Sequence, residues 1–157
     1  MARQAQILAL LIATLACNRV AVPRPMAEVR DAVFKQQVAF WLDDHARESG
    51  VVICLGESQG GQTRGVEGSF LGHSEDRRAV RPAEHCETRA SGAVERGTAK
   101  PAIIITIVGV TWSGTDEAVV EVQHFRSMVV SGRRKYRVVR EQSGWVCLGQ
   151  VVEMAPA

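Results

Sequence analysis

From Ala102 onward the chain carries four runs rich in Val, Ile and aromatic residues, joined by connections too short for anything but hairpins. The runs are Ile103 to Trp112, Ala118 to Val130, Lys135 to Glu141 and Trp145 to Met154. Between them stand Ser113-Gly114-Thr115-Asp116, Ser131-Gly132-Arg133 and Gln142-Ser143-Gly144. A parallel crossover needs about a dozen residues or more, so these connections force antiparallel neighbours. The C-terminal third therefore reads as a four-stranded meander.

Upstream the period changes from two to between three and four. Pro25 suits a first helical position, where its missing N–H costs nothing. Met26, Val29, Val33, Phe34, Val38, Trp41, Leu42 and His45 then recur at helical steps, while Glu28, Arg30, Asp31, Lys35, Asp43, Asp44 and Arg47 fill the other side. This pattern predicts an amphipathic helix of about six turns, stopped at Gly50. Val51 to Leu55 is a continuous apolar, β-branched run and reads as a buried strand. The fold class is α+β, with one long N-terminal amphipathic helix packed on a curved, mainly antiparallel sheet that ends in the meander. Residues 56–101 are punctuated by Gly and Pro, which deny any long regular element. Such a stretch inside a compact domain is functional or tied down. Its short apolar pieces, Ser69-Phe70-Leu71 and Ala79-Val80-Arg81, are expected to pack on the core.

The chain has 157 residues, of which 46% are hydrophobic and 23% charged. That is the composition of a single globular domain, and it excludes disordered, collagen-like and multispan membrane classes. A net charge of +2 is too small to imply nucleic acid or an anionic membrane as a partner. At the N-terminus, Arg3 precedes the uncharged apolar run Ile7 to Ala16, which is too short to span a bilayer of ~30 Å as a helix. A secretory signal fits it better. The run closes on Ala13-Thr14-Leu15-Ala16-Cys17, which resembles the lipobox of bacterial lipoproteins, although Thr14 stands where leucine is usual. That resemblance implies lipidation of Cys17; the alternative is an ordinary cleaved signal with Cys17 left as a thiol. The expected organisation is a signal peptide over 1–16, a tether over 17–25 and one α+β domain over 26–157. Such a protein would be exported to the bacterial cell envelope, either lipid-anchored or periplasmic or extracellular.

Export would expose Cys54, Cys86 and Cys147 to an oxidising compartment, where disulfides persist. Cys54 and Cys86 flank the weakly patterned stretch, and closing a loop of that size stabilises a fold by roughly 3–4 kcal/mol in the chain-entropy model. That favours Cys54–Cys86, with a pair using Cys147 as the alternative.

One chemical motif is sharp. Gly56-Glu57-Ser58-Gln59-Gly60 is G-x-S-x-G directly after an apolar strand, and it resembles the nucleophile elbow of α/β-hydrolases. The resemblance implies Ser58 as nucleophile, His124 as base and Asp116 as its orienter. Against it, the glycines after Ser58 oppose the helix an elbow requires, and hairpin-linked strands oppose a parallel sheet. Gly56 to Thr63 also matches the P-loop spacing except at Gln62, where a lysine is needed to reach the phosphates. His45, His73, His85, His124 and the cysteines show no metal-ligand spacing, so neither metal nor cofactor is expected. Asp43-Asp44 and Glu75-Asp76 are sequence neighbours and read as solvated charge. Arg133, Arg134, Lys135, Arg137 and Arg140 crowd one hairpin, opposite Arg126. A basic face of that kind could hold an anionic polymer or lipid headgroups, but sixteen arginines against three lysines make it partly a general bias.

The segment Tyr136 to Val146, an apolar strand, a polar Gly turn and a Trp opening the last strand, is similar to the closing hairpin of NTF2-like (cystatin-like) domains. Val52-Ile53-Cys54-Leu55, Val80-Arg81-Pro82-Ala83-Glu84-His85-Cys86 and the last four strands together resemble small secreted bacterial proteins of unknown function. The resemblance implies a Cys54–Cys86 bridge and a helix packed in a curved antiparallel sheet, and it names no activity. One strong helix instead of three departs from the NTF2-like pattern. The resulting expectation is a non-catalytic binding or interaction domain whose partner is a small ligand or an envelope protein. A pocket between helix and sheet, lined by Phe34, Trp41, Trp112 and Phe125, is the natural place for a ligand.

Overall fold

The computed structural model describes residues 25–44, 50–66 and 80–151. The expected signal peptide, Cys17, the tether up to residue 24, His45, His73, Ser69-Phe70-Leu71 and Glu75-Asp76 lie outside them. The described residues form an α+β fold with one α-helix and a mainly antiparallel sheet.

Helix α1 covers Met26–Asp44. Val29, Val33, Phe34, Val38 and Trp41 recur at three- and four-residue steps and are buried together, so the helical period sets which side meets the sheet. The segregation is incomplete: Gln37 is also buried, while Met26, expected on the inner face, and Phe40 are exposed.

Nine strands follow among the described residues: β1 (Val52–Gln59), β2 (Gln62–Gly65), β3 (Val80–Pro82), β4 (Cys86–Arg89), β5 (Gly92–Glu95), β6 (Ala102–Trp112), β7 (Glu117–Phe125), β8 (Ser131–Glu141) and β9 (Gly144–Gln150). A single turn of 3-10 helix, Ala83–His85, links β3 to β4. The main sheet runs β2-β1-β6-β7-β8-β9, and each pair from β6 to β9 is antiparallel, as their short connections require. The exceptions lie around β1, which is parallel to β6 on one edge. On its other edge β1 meets β3 in parallel at Ile53 to Leu55, then β2 in antiparallel at Gly56 to Gln59.

Alternation along the strands gives the sheet two unlike faces. Ile53, Leu55, Ile103, Ile105, Ile107, Val120, Val122, Tyr136 and Val138 pack with α1 in the main core. Val52, Cys54, Ala102, Ile104 and Phe125 belong to a second cluster, completed by Cys86 and Ala93. β1 and the start of β6 are thus covered on both sides, which explains their unbroken apolar runs. Cys54 and Cys86 are joined in a disulfide with Cα atoms 6.3 Å apart, and it pins the β4–β5 hairpin to the second face.

Two expected boundaries move. β1 continues through Ser58 to Gln59 instead of ending at Leu55. The β7–β8 turn falls at residues 126–130, not at Ser131-Gly132-Arg133, because Ser131 pairs with Phe125 and Gly132 with His124. Gly132 marks a close approach rather than a turn: a Cβ there would lie 3.2 Å from the His124 ring.

Candidate functional site

On the face away from α1, β6 and β7 form the floor of an open cleft of about 850 Å³. Ile104 and Thr106 come from β6, and Gln123 and Phe125 from β7. Thr63 of β2, Glu84, Cys86, Glu87 and Arg96 line its walls. The floor is outward-facing strand positions, so its mixture of Thr, Gln, Ile and Phe follows from period two.

The wall is held firmly. The disulfide fixes Cys86 over β1. The Gly65 backbone N–H donates to the Glu84 carboxylate, and a Cβ at Gly65 would press on that carboxylate and fall 2.7 Å from Pro82 Cβ. Arg96 donates through Nε to the Cys86 carbonyl at 3.1 Å and through Nη1 to Glu87 at 3.3 Å. Across the floor the hydroxyls of Thr63 and Thr106 stand 3.5 Å apart. Behind the wall, buried Glu95 accepts from the Thr98 hydroxyl at 2.5 Å and meets Arg81 Nε at 3.4 Å. The Thr98 hydrogen bond, helped by the charges of Arg81 and Lys100 and opposed by burial, holds its carboxyl below the usual carboxylate range. The cleft offers hydroxyls, an amide, carboxylates and one guanidinium above an apolar strip, which suits hydrogen bonding to a small polar molecule.

The elbow residues lie elsewhere and form no elbow. Gly60 and Gly61, with φ of +60° and +81°, make a two-residue hairpin between Gln59 and Gln62, so no helix follows the serine and no phosphate-cradling P-loop forms. Gly56 is required by packing: a Cβ would fall 2.6 Å from Thr63 Cγ2, 2.7 Å from the Arg64 carbonyl and 2.7 Å from Ala83 Cβ. Ser58 is exposed. His124 is buried on the helix side of the sheet against Trp41, ring centroids 5.6 Å apart. Asp116 lies in the β6–β7 turn, eight residues before His124, roughly 27 Å away at the strand rise of ~3.4 Å per residue. Ser58, His124 and Asp116 are not brought together.

Nor do the four aromatics share a pocket. Phe34 and Trp41 are closed into the main core. Trp112 packs edge-on to Trp145 at 5.6 Å, and Phe125 belongs to the other face, where it lines the cleft. The arginine hairpin is largely self-neutralised: Arg137 makes a two-pronged bond to Glu117, Arg133 meets Glu121 and Arg140 meets Asp116. Cys147 is a half-buried free thiol donating to Gln36, and burial pushes its pKa up. Among the described residues no group of three or more His, Cys, Asp or Glu could hold a metal, and no helix is long and apolar enough to cross a membrane.

Sequence reasoning missed Thr63, Thr106, Gln123, Glu84 and Arg96. One signal was present: Thr106 interrupts the apolar run Ala102 to Val110, and a polar residue inside a central strand asks for a partner or a ligand.

Compared with protein-family models, curated proteins and solved structures, the chain matches none. Fold and site together define a disulfide-bonded α+β domain with a polar cleft on the outer face of its sheet.

Proposed function

We propose that this protein is a non-catalytic binding domain of the bacterial cell envelope, secreted or lipid-anchored through Cys17, and that the cleft over Thr106 and Gln123 receives a small polar ligand. The cleft itself carries this reading: its wall is held by a disulfide, by Arg96 and by Glu84, so the site is preformed. Export is supported by the apolar leader and by a disulfide that an oxidising compartment maintains. The ligand would lie on the face of the sheet opposite the helix.

The test is a titration of the oxidised full chain, followed by amide NMR, with neutral sugars and zwitterionic amino compounds. Saturable shifts are expected at Thr63, Thr106 and Gln123, and Gln123→Trp, which fills the cleft, should abolish them. Shifts that persist in Gln123→Trp, or a cleft indifferent to both compound classes, would reject the assignment.

A further inference from the structure

The β7–β8 turn breaks the chemistry expected of a hairpin tip. Such turns are built from Gly, Asn, Asp, Ser and Pro, yet this one is Arg126-Ser127-Met128-Val129-Val130. Met128 is 83% and Val129 92% exposed, so the tip shows two adjacent large apolar side chains almost wholly to solvent. Single exposed apolar residues are ordinary; a contiguous pair at a hairpin tip is not.

The tip is also fixed in place. The backbone N–H groups of Arg126 and Ser127 donate to the Val130 carbonyl at 2.9 and 3.2 Å, and Val130 N–H donates to the Ser127 hydroxyl at 3.1 Å. From the second layer, Ala93 N–H donates to the Arg126 carbonyl at 2.7 Å, and Gly92 lies so close to that oxygen that no Cβ fits. The β4–β5 hairpin, clamped by the disulfide, therefore braces the base of the turn.

Positive charge surrounds it. Arg126 begins the turn, and Arg133 and Arg134, both exposed, follow its close by three and four residues along β8. Exposed Lys100 stands just before β6 at the same end of the sheet, by the register Ile104↔Phe125. Glu121 balances Arg133 and Glu95 meets Arg81, which leaves Arg134 and Lys100 as the exposed cations on either side of the tip. Apolar residues at a protruding tip inside a cationic collar match a membrane interface: side chains enter the acyl boundary while guanidinium and ammonium groups meet anionic headgroups.

We infer that the Met128-Val129 tip inserts into the surface of an anionic lipid bilayer, with Arg126, Arg134 and Lys100 as its electrostatic collar. This rests on neither the cleft nor the fate of Cys17. Hydrogen exchange of the full chain, read by mass spectrometry on peptides covering residues 126–132, tests it. Such peptides report the tip even where another segment also holds the chain on the vesicle. On vesicles of equal phosphatidylglycerol and phosphatidylcholine, the tip should exchange several-fold more slowly than in solution, and on phosphatidylcholine alone the protection should be lost. Met128→Ser with Val129→Ser, which keeps a turn-compatible backbone, should remove it as well. Unchanged tip exchange on the anionic vesicles, equal protection on neutral ones, or protection that grows with protein concentration without lipid would each overturn the inference. The last would mean that a second copy of the chain covers the tip.

Discussion

Trp41 of the helix and His124 of β7 meet with ring centroids 5.6 Å apart, closing the seam between helix and sheet at the end where the β7–β8 turn emerges. Burial, with the nearby Arg134 charge adding to it, holds the His124 pKa below its ordinary value of 6.5. The folded state therefore keeps a neutral imidazole that the unfolded chain would protonate. His124 contributes stability at pH above 6.5, and that contribution is lost as pH falls through its lower, folded-state pKa.

Urea midpoints measured from pH 7.5 down to pH 5 should consequently fall for the native sequence. His124→Gln should flatten that fall, since the other histidines are common to both proteins. Parallel slopes would show that the ring at 124 is not the titrating group.

The disulfide closes a loop with a sequence separation of 32 residues. In the chain-entropy model its loss should cost roughly 3–4 kcal/mol. Paired denaturation curves, oxidised against reduced with the free thiols blocked, give that difference directly. A change of a few tenths would mean that the β4–β5 hairpin holds its place without the crosslink.

Gly56→Ala should destabilise the protein by about 1–3 kcal/mol, because the new methyl meets backbone and side-chain atoms on three sides in a packed layer. Gly109 has nothing within 4 Å of the same added atom, and Gly109→Ala is the matched control for packing. Equal midpoints for the two variants would remove the packing explanation of the first glycine in G-x-S-x-G.

Ser58→Ala should leave stability unchanged, since Ser58 is exposed near the hairpin tip. A fluorophosphonate probe should label neither protein. Labelling of the native chain that disappears in the alanine variant would restore a nucleophilic serine.

Those expectations show where local pattern ends and tertiary choice begins. Val29, Val33, Phe34, Val38 and Trp41 announce the helix because its period is written in neighbouring residues, and Ala118, Val120, Val122 and His124 announce the inner face of β7 in the same way. Gly60-Gly61 is an equally local hairpin signal, but it overlaps the G-x-S-x-G spacing and competes with it. Ser131-Gly132 carries turn chemistry and yet lies in a strand, where Gly132 makes room for His124. The cleft is legible only afterwards: Thr63, Glu84, Arg96, Thr106 and Gln123 come from separate elements, and no period connects them.

The parallel pairing of β1 with β6 has a consequence for assembly. Val52 waits for Ala102, about fifty residues later, and loop closure over that distance must precede any gain from the pairing. Strands β6 to β9 need only their sequence neighbours, so they are the template and β1 is the piece that docks. A ribosome that has released only the first hundred residues holds out Val52-Ile53-Cys54-Leu55 with one edge uncovered. During synthesis, the apolar centre of the finished sheet is thus its most adhesive part.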